Sequence, residues 1–276
     1  MKRLSFVSFV LALATVMLAL PARASAGAPA ASIPGLRTPG TITYGTNFGY
    51  PPMEMLIGPN AETPTGADVD LGEQIARRLH LRYHFVNVTD FSVIIPGLQA
   101  HRWDVILSSM NVTPERSRVV NFVPYMLVGQ SILVRRGNPY HIKTLADLSG
   151  KSVATQVSTT EADSVMAENK VLAAQHKPLI KLHTFPEDTT AIQQLALGRF
   201  AAVLDDYPVA VYNVTHEPTV FQMVGHQFAT LPYGMAFRKS DRVLMEDVKR
   251  VFQQIRKDGT YMKILKKWSL TQAALK

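Results

Sequence analysis

The sequence has no cysteine. That excludes a disulfide framework, a thiolate zinc site, a cysteine nucleophile and a lipid-anchored N-terminal cysteine. Charged residues are sparse, at 18% against 47% hydrophobic, which argues for a packed core rather than disorder. Acids are the scarcer sign, 21 against 29 Lys and Arg, for a formal charge of +8. Such a balance is compatible with nucleic acid, a membrane surface, or plain surface charge. No nucleotide-binding glycine loop and no nucleic-acid motif occurs, and only one long apolar run is present. The length, 276 residues, suits two lobes or domains rather than one small module.

The apolar run lies at the start. Lys2 and Arg3 precede Val10 to Leu20, and Pro21 is followed by Ala22-Arg23-Ala24 and Ala24-Ser25-Ala26. This reads as a secretory signal, cleaved near Ala24 or Ala26, that directs the protein to export. A permanent anchor is the competing reading, but the charge-free stretch Leu4 to Ala22 is near the lower spanning limit and carries Ser5, Ser8 and Thr15. Removing residues 1–26 takes away Lys2, Arg3 and Arg23 and no acid, so the charge falls from +8 to +5. Residues 27–39, rich in Ala, Pro and Gly, form a loose lead-in.

The remainder alternates strand and helix. Strands are expected at 41–45, 83–88, 103–107, 152–155, 179–185 and 200–204. Helices are expected after Asp68, read as a cap, from Ser92 to Leu98, over 160–173 and 189–197, along Leu244 to Ile255, and from Tyr261 to Trp268. Alternation of this kind means an α/β protein with parallel strands. The segment Leu98 to Ser109 parallels Leu195 to Asp206 at a constant offset of 97, with Leu, Arg, aromatic, aliphatic and Leu in register. Both copies read as helix end, turn, strand and polar pair, a pattern that any helix-to-strand unit can mimic. Ligands of open parallel sheets sit beyond the carboxyl ends of strands, and Ser108-Ser109 and Asp205-Asp206 are such ends.

Thr113-Pro114-Glu115-Arg116 is a helix start. Arg116 opposes the helix dipole there, so it meets either a neighbouring acid or a ligand carboxylate. Gln156 to Thr160 joins a strand to a helix and offers hydroxyls and free N–H groups to an anion, or forms an ordinary Ser/Thr cap. Asp205-Asp206 suits an ammonium, or caps the helix before Pro208. Tyr50 and Phe91 suit pocket walls, or core packing. One half thus offers a cation and the other a carboxylate, which is what a zwitterion needs. His80 and His84 straddle a helix-to-strand boundary and make no metal pair. Asn87-Val88-Thr89, Asn111-Val112-Thr113 and Asn213-Val214-Thr215 match the glycosylation pattern by accident. Lys263, Lys266, Lys267 and Lys276 read as a solvated helix face.

An ordered set of short motifs carries a resemblance. They are Tyr50-Pro51-Pro52, Gly66-Ala67-Asp68-Val69-Asp70-Leu71, Ile95-Pro96-Gly97-Leu98-Gln99 and Trp103-Asp104-Val105-Ile106. They continue with Asn111 to Arg116, Asn121-Phe122-Val123-Pro124-Tyr125, Tyr233-Gly234-Met235-Ala236 and Asp258-Gly259-Thr260-Tyr261. From about Thr41 to Trp268 the chain resembles the periplasmic amino-acid-binding proteins of bacterial ABC importers, family 3 of the extracellular solute-binding proteins. The resemblance implies the two-lobed type II periplasmic-binding-protein fold, its lobes joined by two crossover strands: lobe 1 over 40–125 and 234–276, lobe 2 over 131–228, hinge at 126–130 and 229–233. It implies a monomeric binding protein rather than an enzyme, without cofactor or metal, that carries an amino acid to an ABC permease.

By the same resemblance Arg116 binds the ligand α-carboxylate with Asn111 and Thr160, and Asp206 binds the α-ammonium. Asn47, Tyr50, Phe91, Ser108, Ser109, Gln156 and Asp205 line the rest. Asn47 stands where many relatives carry an acid, which points to a polar rather than a basic ligand. Asn111 replaces a Ser or Thr, and the loop Val157 to Thr160 lacks the usual glycine. A cyclohexadienyl dehydratase on the same scaffold is the competing class. Its catalytic Glu position, three after Asp206, is Val209 here. The related sensor lobes precede membrane segments, and none follows before Lys276, so a free binding protein is expected.

Overall fold

The computed structural model describes residues 33–275. The leader and residues 27–32 of the lead-in lie outside the described residues. The chain runs β1 (Thr41–Thr46), β2 (Met55–Ile57), β3 (Thr63–Thr65), α1 (Ala67–Arg78), β4 (Arg82–Asn87), α2 (Ile94–Gln99), β5 (Val105–Ile106) and α3 (Pro114–Val119). A 16-residue strand follows, β6 (Val120–Arg135). Then come β7 (Ser152–Gln156), α4 (Thr160–Ala174), β8 (Lys181–Phe185), α5 (Asp188–Ala196), β9 (Ala202–Asp206) and α6 (Tyr207–His216). An 18-residue strand, β10 (Phe221–Arg238), precedes α7 (Arg242–Lys257) and α8 (Thr260–Lys267).

Eight strands hydrogen-bond in the order β4-β1-β5-β10-β6-β9-β7-β8, with β2 and β3 as a separate antiparallel pair. Strand β1 is parallel to β4 and β5, and β7 is parallel to β8 and β9. Each parallel group is one lobe. The two long strands, antiparallel to each other, cross between them. In the first lobe β10 pairs with β5 through Ala236 and Ile106, and in the second β6 pairs with β9 from Gln130 to Leu133. The long strands therefore exchange the inner position on passing from lobe to lobe. Their ladder shifts register between Val224 and Phe228, Phe228 and Leu231, and Tyr233 and Gly234. Register shifts bend a strand and raise its local twist, which suits the point where the lobes meet.

Successive strand residues face opposite sides, and the cores follow that period. On β10, Met235 and Phe237 join the cluster containing Tyr44, Ile75 and Phe252, while Ala236 joins Ile94, Leu98 and Trp103 on the other face. In the second lobe Ala202 and Leu204 pack with Val153 and Leu172, while Val203 packs with Leu195 and Phe221. Each lobe is thus three-layered, with the sheet in the middle.

The expected helices and strands are present with end shifts of one or two residues, and four readings need correction. Asp68 does not cap α1. Gly66 holds that position with φ 133°, where a Cβ would sit 2.1 Å from the Met53 carbonyl oxygen, so only glycine fits. Asp68 is the second residue of the helix, fully buried, accepting from the Ser109 amide at 2.9 Å and the Tyr125 hydroxyl at 2.8 Å. The helix expected from Ser92 begins as a 3-10 turn, Phe91–Val93, capped by Asp90, whose carboxylate accepts from the Ser92 amide. Trp103 to Leu107 contributes a ladder only at Val105 and Ile106. The residues from 47 to 65, read as a loop, contain β2 and β3. The repeated unit at offset 97 corresponds to α2–β5 and α5–β9, and each ends at the cleft.

Candidate functional site

The carboxyl ends of the parallel strands of both lobes meet in one cleft. Lobe 1 supplies Asn47 and Tyr50 after β1, Phe91 after β4, and Ser108, Ser109, Asn111 and Arg116 after β5. Lobe 2 supplies Gln156, Thr159 and Glu161 around the β7–α4 junction. These residues and Glu54 line a narrow cavity of about 20 Å³, with Thr160, Asp205 and Asp206 just behind it.

Arg116 is placed by a short helix start. Pro114 takes the first position of α3, and the Thr113 hydroxyl accepts from the Arg116 amide at 3.2 Å. The guanidinium donates through Nη1 to the Asn111 carbonyl at 2.9 Å and, across the cleft, through Nη2 to the Ser158 carbonyl at 2.8 Å. Its carbon lies 5.7 Å from the centre of the Phe91 ring. Burial lowers its pKa, and the charges of Glu161, Asp163 and Asp206 oppose that shift. The acids that balance Arg116 therefore stand on the opposite lobe, and neighbouring Glu115 is exposed. Ser158 holds φ 61°, the left-handed geometry for which a glycine is usual.

Three further contacts bridge the lobes. The Thr160 hydroxyl donates to Asn111 Oδ1 at 2.9 Å. Gln156 Nε2 donates to Asn47 Oδ1 at 2.8 Å and to the Pro186 carbonyl at 2.9 Å. The Tyr50 hydroxyl lies 2.8 Å from Asp205 Oδ1 and 3.1 Å from Asp206 Oδ2. Asn47 is fixed within its own lobe, with its amide donating to Ser108 Oγ at 2.9 Å and Nδ2 donating to the Val88 carbonyl. A carboxylate at this position would lose the Nδ2 donor and face that carbonyl.

Asp205 and Asp206 are at most 2% exposed. Tyr233 from β10 donates to Asp206 Oδ2 at 2.6 Å. Asp206 sits at the cap position of α6 but makes no side-chain cap bond, so capping does not account for it. Asp205 Oδ2 and Asp206 Oδ1 are buried without a hydrogen-bond partner. Burial pushes both carboxyls well above the usual carboxylate range. Asp188 and Asp206 add to this for Asp205, and Glu161 adds to it for Asp206.

All eleven residues expected at the site are brought together. Asn47, Tyr50, Phe91, Ser108, Ser109, Asn111, Arg116 and Gln156 face the cavity, and Thr160, Asp205 and Asp206 contact those that do. The sequence reading missed three acids. Glu54 sits behind the serines, accepting from Ser108 Oγ and Ser109 Oγ at 3.1 Å each, and burial beside Asp68 raises its pKa. Glu161 and Asp188 open α4 and α5, each 4% exposed. Acids immediately after a strand–loop step were the available signal, but first-turn acids are ordinary helix residues. Among the described residues no three acidic or histidine side chains converge as metal ligands, and no helix is long and apolar enough to cross a membrane.

Two α/β lobes joined by two crossover strands, with a polar cleft between the carboxyl ends of their sheets, define the two-lobed periplasmic-binding-protein fold. The model of the bacterial extracellular solute-binding proteins, family 3, matches residues 42–271, and the chain belongs to that family. ABC transporter arginine-binding protein 1 of Escherichia coli K12 is 29% identical over 231 residues, 82% of this chain and 90% of its own. An L-cystine-binding protein of the same strain is 28% identical over 83% of this chain and 82% of its own. Among solved structures, an ancestral arginine-binding protein bound to arginine is 37% identical, with a TM-score of 0.76, covering 83% of this chain and 98% of its own. The ancestral amino acid-binding protein AncCDT-1, a precursor of cyclohexadienyl dehydratase, is 36% identical with a TM-score of 0.72, covering 83% and 95%.

Proposed function

We propose that this solute-binding protein captures an amino acid between its lobes and delivers it to an ABC permease, working as a monomer in the periplasm after cleavage near Ala24 or Ala26. The carrying observation is the opposition of Arg116 on one lobe to the partly unsatisfied Asp206 on the other. A zwitterion is costly to bury unless both its charges are paired, and this pair offers both partners. In this reading Arg116, Asn111 and Thr160 hold the α-carboxylate and Asp206 holds the α-ammonium. Lobe 1 comprises 40–125 and 234–276, lobe 2 comprises 131–228, and the chain bends at 126–130 and 229–233. The amides of Asn47 and Gln156 favour a polar ligand. The names of relatives that bind arginine and cystine agree with an amino acid.

Ligand bridging the lobes has differential affinity for the closed arrangement and shifts the population towards it. The closed shape is what the permease recognises. Calorimetric titration of Arg116→Ala and Asp206→Ala tests the reading. Each should lose amino-acid binding while unfolding cooperatively, and wild-type affinity in either would sink it.

A dehydratase is the second reading, favoured by the likeness to AncCDT-1. The expected acid position is Val209, which is fully buried and apolar. Incubation with prephenate should therefore yield no phenylpyruvate.

A further inference from the structure

All three strand-to-helix junctions of lobe 2 deliver buried acids to the cleft. Glu161 follows β7, Asp188 follows β8, and Asp205 and Asp206 end β9. Against these four carboxylates stands one guanidinium, Arg116, the only cation lining the cavity among the described residues. A zwitterionic ligand brings one ammonium and one carboxylate and leaves this imbalance unchanged. Buried carboxylates persist only when paired with cations or protonated.

The geometry locates the excess. One hydroxyl, that of Tyr50, reaches both Asp205 and Asp206, so the two carboxylates converge on a common point. Each keeps a second buried oxygen without a partner. Local bonds to the start of α6 do not account for the free oxygens: Asp206 makes no side-chain cap bond, and Asp205 accepts from the Asp206 amide at 2.8 Å through Oδ1 alone. The spread of the acids is wrong for a metal ion. Away from Arg116, the rest of the cavity wall offers no free carboxylate oxygen: Asn47 and Gln156 are amides bonded to each other across the cleft, and both oxygens of Glu54 accept from serine hydroxyls. A second positive charge therefore belongs beside the α-ammonium, not at the far end of a long side chain.

We propose that the ligand is a short-chain diamino acid, with its α-ammonium on Asp206 and its side-chain ammonium on Asp205, the Tyr50 hydroxyl yielding that position when ligand enters. This rests on the amino-acid-binding reading above.

Calorimetric titration of the exported chain with 2,4-diaminobutyrate, asparagine and arginine tests it. Diaminobutyrate should bind at least about tenfold more tightly than either of the others. Asparagine supplies a neutral side chain of similar length, and arginine a distant cation. Asp205→Asn should reduce the diaminobutyrate-to-asparagine ratio to below about threefold; thermal unfolding of the variant reports whether it folds. A preference below tenfold in the unaltered chain, tighter binding of arginine, or a ratio unchanged in a folded Asp205→Asn variant would overturn the proposal. If asparagine or arginine binds best, only this inference fails. If no amino acid binds at all, the underlying reading fails with it.

Discussion

Tyr50 of one lobe and Asp205 of the other meet across the cleft at 2.8 Å, oxygen to oxygen. The phenol is the donor, since burial and the neighbouring carboxylates push its pKa well above the usual value. A hydrogen bond of this kind contributes roughly 0.5–1.5 kcal/mol net, and more where the acceptor is charged. This one exists only while the lobes are together. Tyr50→Phe keeps the ring and removes the donor, so it should favour the open form of the unliganded protein. Small-angle scattering should give a larger radius of gyration for the unliganded variant than for the unaltered protein. An identical radius would show that Tyr50 does not hold the lobes closed.

The acids of lobe 2 make stability depend on pH with a definite sign. Burial, with the Glu161 charge, pushes Asp188 up to about 7, while an unfolded Asp titrates near about 3.9. Glu161, Asp205 and Asp206 are displaced in the same direction, chiefly by burial. They face one another, the hydroxyls of Tyr50 and Tyr233, and Arg116, whose charge acts on Glu161 in the opposite sense. Between the unfolded and folded values the native state binds more protons than the unfolded chain. Stability from these groups is thus fully present below about pH 4 and is lost as pH rises through about 7. The melting temperature of the unliganded protein should fall from about pH 5.5 to about pH 8, and Asp188→Asn should flatten that slope. A melting temperature that rises over this interval would contradict the burial of these acids.

The pH dependence bears on two residues that the sequence hid, Glu161 and Asp188, and the reason is physical. Helices and short strands were legible because amphipathic spacing is local: Leu244, Val248, Val251, Phe252 and Ile255 mark one face of α7 and are all buried. The two longest strands were visible only through the family resemblance. Strand β6 shows little apolar alternation, because Gln130 to Val134 is buried on both sides, and Pro124 and Gly129 interrupt it. Strand β10 contains Gly225, Pro232 and Gly234, which read as breaks, and the two glycines fall at its register shifts. Arg116 and Asp206 were legible from a misplaced cation and a polar strand end. Glu161 and Asp188 were not, because what distinguishes them from solvated helix starts is burial.

The same limit applies to Arg238, the last residue of β10. It was not singled out, yet it ties the lead-in, β5 and α7 together. Its Nη1 donates to the carbonyls of Leu98 at 3.0 Å and Trp103 at 2.6 Å. Its Nη2 pairs with Asp241 at 2.6 Å and lies 3.7 Å from Asp104. Asp104 in turn accepts from the Thr43 amide at 2.9 Å and the Arg37 amide at 2.7 Å. All three charged side chains are at most 6% exposed. Removing one partner leaves buried carboxylates uncompensated, a change that costs roughly 3–5 kcal/mol. Arg238→Met preserves the bulk of the side-chain stem but not the charge. Urea unfolding should therefore show a lower midpoint with an unchanged slope, and a loss of less than about 1 kcal/mol would mean that the stem, not the charge, holds this corner. The cluster belongs to lobe 1 and makes no contact across the cleft. Ligand affinity measured below the unfolding transition should accordingly stay within about threefold of the unaltered protein, separating a stabilising cation from the one at Arg116 that faces the cleft.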